Sequence, residues 1–134
     1  MTGTACDTSV LVPALSSWHP SHGGCRAALA DVTSLPLQVL IESYSVLTRF
    51  PPPHRVSAAD AAAVLRELSV EIPTLPGDQA RDLINSLARQ GIAGGAVYDA
   101  VVAATARHYG LHLISRDLRA RAIYDAVGVR YTLV

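Results

Sequence analysis

Short apolar runs alternate with longer segments of helical period along this chain. Thr4–Asp7 reads as a short strand and Ser9–Leu15 as a short helix. Pro20 suits the first turn of a helix that continues to about Ala30. Ser34–Pro36 is a brief strand, and Leu37–Arg49 is a helix stopped by Pro51–Pro53. Ser57 caps a helix to about Ser69, followed by a strand over Val70–Thr74. Gly77–Asp78 opens a helix to about Gln90, and Gly91–Gly95 is a loop. Ala96–Tyr109 is a helix ended by Gly110, and Leu111–Ser115 is a strand. A helix over Leu118–Val127, ended by Gly128, precedes a last strand at Val129–Thr132. Strands this short and apolar, set between helices, predict an α/β fold with a central parallel sheet covered on both faces.

In such a fold, sites form at the carboxyl ends of the strands. Asp7 ends the first strand, and Asp117 lies just beyond Leu111–Ser115. Asp99 sits in the first turn of its helix, at the same edge. From Asp99 the helix descends roughly 15 Å to Tyr109. The chain from Leu111 then climbs roughly 20 Å, so Asp117 returns to a similar height. Glu42 lies in the second turn of its helix among Val39, Leu40, Ile41 and Val46. That pattern predicts a mostly buried helix in which a lone glutamate wants a partner. Four carboxylates at one edge repel one another, and a divalent cation with oxygen ligands, Mg²⁺ or Mn²⁺, would resolve the repulsion. Each acid alone also has a plainer role. Asp7 can cap the helix at Ser9, and Asp117 the one at Leu118. Asp31, Asp60, Glu67, Glu71, Asp78, Asp82 and Asp125 lie in polar surroundings and read as solvated.

The chain has 134 residues, half of them hydrophobic, which suits one domain spanning 1–134 with a sizeable core. No apolar run approaches the roughly 18–20 residues of a membrane span. The segment MTGTACDTSV lacks the basic start of a signal peptide, so a soluble cytoplasmic protein is expected. Cys6 and Cys25 read as reduced buried thiols. Net charge is zero, but all 11 basic residues are Arg and there is no Lys. The missing lysine excludes a Walker A loop, a receiver-domain phosphoacceptor site and Schiff-base chemistry.

Four segments carry the acids: CDTSVLVPAL around Asp7, VLIESYSVLTRF around Glu42, GGAVYDAVVAATARHYG around Asp99 and LISRDLRARAIYDAVGV around Asp117. Together they resemble the PIN-domain family, and most of all its small bacterial VapC-type toxins. The resemblance runs over nearly the whole chain. It implies a three-layer α/β/α sandwich and an acidic quartet (Asp7, Glu42, Asp99, Asp117) binding Mg²⁺ or Mn²⁺. It further implies endoribonuclease activity leaving a 5′-phosphate and a 3′-hydroxyl, and a homodimer silenced by a VapB-type antitoxin. Asp7 and Asp99 are the foremost ligand candidates, with Glu42 and Asp117 binding directly, binding through water or positioning the nucleophile. Thr8, Ser9 and Ser115 stand beside the acids, where they either orient ligands or water or make local turn hydrogen bonds.

RNA binding needs positive surface. With the four acids set aside, 7 of the 11 acidic residues remain against 11 Arg. Arg116 and Arg119 flank Asp117 and are candidate phosphate contacts; a solvated helix face is the rival role. His19 and His22 are three apart, but no third nitrogen or sulfur ligand joins them. His108 and His112 read as surface residues far from the acids. Gly94–Gly95 reads as a tight bend into the Asp99 helix. Trp18, the single tryptophan, reads as partly buried or at an interface. The alternatives are a catalytically silent PIN-fold RNA- or protein-binding module and a phosphatase of the haloacid-dehalogenase type. The latter wants an aspartate two residues after its nucleophile, where Ser9 stands, and a lysine.

Overall fold

The computed structural model describes residues 3–134 and gives the elements β1 (Gly3–Cys6), α1 (Thr8–Ala14), α2 (His22–Leu29), α3 (Leu37–Arg49), α4 (Ala58–Arg66) and α5 (Gly77–Arg89). These are followed by α6 (Ala96–His108), β2 (Leu111–Ser115), a 3-10 turn (Leu118–Ala120), α7 (Arg121–Val127) and β3 (Tyr131–Leu133). The expected α/β class with a central parallel sheet is present. β1 pairs with β2 and β2 with β3, all parallel, with Gly3 opposite Leu111 and Leu113 opposite Tyr131.

Two of the five expected strands shrink to single parallel bridges, Ala5 to Ser34 and Ser34 to Glu71. The donors explain why. Thr33 and Leu35 donate to Thr4 and Glu71 at 2.8 Å each, and Glu71 donates to the Thr33 carbonyl. Pro36 and Pro73 have no N–H with which to continue the ladder. The spatial order across the sheet is therefore Glu71, Ser34, β1, β2, β3. The chain leaves β1 toward one side and later returns to its other side at β2. The carboxyl ends of β1 and β2 thus form the switch point at which parallel sheets hold ligands.

Two helix expectations need correction. Pro20 is not the first helical residue: α2 begins at His22, with Ser21 before it. The turn bonds from His19 to Ser16 and from His22 to His19 occupy the chain through Pro20. Nor is α3 mostly buried. Only Val39, Ser43 and Leu47 are buried, whereas Leu37, Ile41 and Tyr44 are exposed on the opposite stripe. The helix lies at the edge of the fold, so its apolar residues outnumber the neighbours that cover them.

The core joins β1, β2 and the helices around them through Ala5, Leu11, Leu35, Val39, Leu113 and Tyr124. Cys6 and Cys25 are free and buried, as expected. No helix among the described residues is long and apolar enough to cross a membrane; Met1 and Thr2 of the amino-terminal segment lie outside the described residues. At the carboxyl end, Gly128 takes φ 86 to close α7, and its amide bonds the Tyr124 carbonyl. A β-carbon there forces a left-handed side-chain residue. Gly128→Ala is expected to cost about 1–2 kcal/mol in urea denaturation; an unchanged midpoint would contradict this closure.

Candidate active site

Asp7 follows β1 directly and serves as the amino-terminal cap of α1, accepting the Ser9 amide at 3.1 Å. The carboxylate is only 6% exposed, so each of its acceptor positions needs a donor. Oδ1 accepts the Ser9 amide and the Ser9 hydroxyl. Oδ2 accepts the Ser115 hydroxyl and the Tyr124 phenol, the latter at 2.7 Å. A carboxylate has about four lone-pair positions, and all four are used. The two serines act as relays. Ser9 Oγ accepts the Arg116 amide at 2.8 Å, and Ser115 Oγ accepts the Asp117 amide at 3.0 Å. Asp7 therefore sets the turn that carries Asp117.

Asp117 accepts the Arg119 amide at 2.9 Å and caps the 3-10 turn. Both capping roles anticipated for Asp7 and Asp117 are thus present, and both residues also line one cleft. That cleft, of about 420 Å³, is lined by all four candidate acids together with Thr8, Ser9, Trp18, His19 and Arg116. Glu42 is held from two sides: Thr8 Oγ1 donates to Oε2 at 3.2 Å, and Gln38 Nε2 donates to Oε1 at 2.8 Å. Asp99 stands half-buried in the first turn of α6, where Gly94 at φ 67 bends the chain into the helix. Thr8, Ser9 and Ser115 each touch an acid of this set. The seven acids read as solvated are all exposed.

The Asp99 carboxyl is pushed up to about 6. Burial contributes most, followed by the charges of Asp117, Glu42 and Asp7, with Arg119 opposing. The donors are all carboxylate oxygens, the set a hard divalent cation takes. Among the described residues no three acids, histidines or cysteines are already drawn into a compact cage. Like charges without a cation stand apart. The fit therefore lies in the chemistry and shared cleft of the four acids.

Arg116 and Arg119 differ. Pro13, inside α1, has no N–H for the Ser9 carbonyl one turn earlier. Arg116 Nη1 takes that carbonyl at 3.2 Å, and Nη2 reaches Ser21 Oγ at 2.9 Å. Arg116 thus ties α1 to the start of α2 while lining the cleft. Arg119 is 95% exposed and lies 3.5 Å from Asp117, a pair of little energetic weight. His22 Nδ1 donates to the Pro13 carbonyl of the same turn at 2.9 Å, and His19 Nδ1 accepts the Ser21 amide at 3.0 Å. Burial and the nearby Arg116 and His22 lower the His19 pKa. His112 contacts Thr132 across the sheet, away from the acids.

Sequence reasoning did not find Tyr124. It is fully buried, and burial together with the Asp7 charge pushes its phenol strongly up, so it remains a donor. Its only sequence signal is a tyrosine on a core-facing helix, which must find a partner. Gln38, one turn before Glu42, was a legible i,i+4 neighbour that also went unread. A second groove of about 500 Å³ between α5, α6 and α7 holds one acid, Asp82, and no comparable cluster.

A carboxyl with a higher pKa folded than unfolded binds more protons when folded. Its contribution to stability is therefore lost as pH rises from about 4 to about 6. Without metal at pH 7, Asp99→Asn is expected to stabilise the chain by on the order of 1 kcal/mol, discounted for its partial exposure, and to change little near pH 4. Urea denaturation at both pH values measures this, and equal stabilities at pH 7 would contradict the raised Asp99 carboxyl. Tyr124→Phe, which removes one donor from buried Asp7, is expected to cost about 1–3 kcal/mol in the same measurement.

Comparison with known proteins follows the same residues. The family model of the PIN domain matches residues 5–126. Ribonuclease VapC40 of Mycobacterium tuberculosis is 40% identical over 131 residues, covering 97% of this chain and 98% of the relative. The crystal structure of Mycobacterium tuberculosis VapC20, a sarcin-ricin loop cleaving toxin, superimposes with TM-score 0.70 at 22% identity, over 89% of this chain and 93% of that one. Rickettsia felis VapBC2, bound to a promoter DNA fragment, gives TM-score 0.65 at 15% identity, over 99% of this chain and 98% of that one.

Proposed function

The chain belongs to the PIN-domain family, and from that membership we propose that it is a metal-dependent endoribonuclease, the toxin of a VapBC-type pair. The observation that carries the reading is the cleft where Asp7, Glu42, Asp99 and Asp117 converge beside the switch point. The raised pKa of Asp99 supports it, because a cation there relieves a repulsion already present. Mg²⁺, or Mn²⁺ in its place, supplies charge neutralisation at the phosphate and a more acidic water when bound.

The residues then divide the work. Asp7 and Asp99 would hold the cation. Glu42 and Asp117 would complete the site directly, bind through water or position the attacking water. Thr8 fixes Glu42, while Ser9 and Ser115 fix Asp7. The water oxygen bonds phosphorus as the bond to the 3′ oxygen breaks. The water's proton leaves to a site carboxylate, and the 3′ oxygen takes a proton from solvent water, giving a 5′-phosphate and a 3′-hydroxyl. Arg116, with donors left beyond Ser9 and Ser21, and Arg119, exposed beside Asp117, receive the RNA phosphates. The whole chain acts as one domain in the cytoplasm. Its partners are a VapB-type antitoxin and a second copy of itself, and the exposed Leu37, Ile41 and Tyr44 of α3 offer apolar surface to a partner.

Purified protein with Mg²⁺ or Mn²⁺ is expected to cleave a structured RNA. EDTA is expected to stop cleavage, and Asp99→Asn or Asp7→Asn to lower kcat by about a hundredfold or more. Expression is expected to arrest growth and co-expression of the neighbouring antitoxin to relieve it. Cleavage that persists in EDTA or in both variants would sink the assignment, and RNA retention without cleavage under any metal would leave a binding module.

A further inference from the structure

We propose that Trp18 is a base-stacking platform that seats an unpaired nucleobase of the RNA next to the phosphate to be cut. The proposal rests on the ribonuclease reading and deepens it by naming how the same site takes single-stranded substrate. Trp18 lines the acid cleft, yet it is 42% exposed, an unusual position for the largest apolar side chain of the protein. Its indole is held rather than loose. Phe50, at the end of α3, meets it edge-on, with centroids 5.3 Å apart and planes at 85°. The His54 ring lies nearly parallel, at 3.9 Å and 19°.

That second contact is the informative one. A flat, nitrogen-containing heterocycle already rests on the indole in the geometry of a stacked base. His54 comes from an exposed loop, so a nucleobase can extend the stack or take the imidazole's place. The loop itself is tied down. The Arg55 guanidinium donates to the Phe50 carbonyl at 2.9 Å, and the Val56 amide to Leu47 at 3.0 Å. The platform is therefore preorganised, and Arg116 on the same cleft supplies positive charge for the adjoining backbone. Stacking on aromatic side chains is how proteins hold unpaired bases without reading their edges.

Because Trp18 is the single tryptophan, the indole emission reports on this position alone. Full-length Asp99→Asn protein is titrated with a short single-stranded RNA and with an abasic strand of the same length. Base-containing RNA is expected to quench the indole and to bind about tenfold more tightly than the abasic strand. In the otherwise unaltered enzyme, Trp18→Leu is expected to raise KM about tenfold with kcat little changed, and Trp18→Phe to restore most of the loss. Circular dichroism checks that both variants fold. Equal quenching by the two strands, or an unchanged KM in a folded Trp18→Leu variant, would overturn the platform. Base-dependent quenching by a protein that cleaves no RNA with any metal would support the platform and overturn the ribonuclease reading.

Discussion

Four donors converge on the carboxylate of Asp7: the Ser9 amide and hydroxyl, the Ser115 hydroxyl and the Tyr124 phenol. An unpaired carboxylate at this depth would cost several kcal/mol or take up a proton. With its donors it becomes the point where β1, α1, β2 and α7 are fastened together. The serine hydroxyls pass the order on to the Arg116 and Asp117 amides. One buried charge thereby places a second acid, and the last helix cannot pack without supplying its phenol. Neighbouring Cys6 is correspondingly inert, since burial and the Asp7 charge hold its thiol strongly protonated.

The other three acids show the opposite economy. Asp99, Glu42 and Asp117 have partial exposure and few donors, and their charges act on one another. A fold selected for stability alone would have no reason to gather them. Electrostatic tension at one edge, supported by a rigid core beneath it, is how stability is exchanged for a binding function. The same division explains the arginines. Arg116 repairs the carbonyl that Pro13 leaves unpaired in α1, and so is fixed beside the cleft, while Arg119 extends into solvent.

Much of this was legible in the chain, for identifiable reasons. α3 and β2 begin and end where proline stops, glycine ends and apolar period place them. Asp7, Asp99 and Asp117 could be placed at one edge because each sits at or near an element boundary, where local pattern reports on position, whereas Glu42, inside α3, stood out only as a charge among apolar neighbours. The strands at Ser34 and Glu71 were overread because their apolar character outweighed the prolines that remove ladder donors. The burial of α3 was overread because apolar period says which face is hydrophobic, not whether a neighbour covers it. Tyr124 was invisible because its partner lies 117 residues away, and no local pattern encodes that pairing.

The proposed activity depends on the four acids forming one cation site. Crystals soaked in Mn²⁺ and measured for anomalous scattering test that most directly. The expected result is a peak in the cleft with oxygens of Asp99 and at least one further member of the quartet at about 2.1 Å. No peak at saturating Mn²⁺, or a peak only at residues outside the quartet, would contradict it.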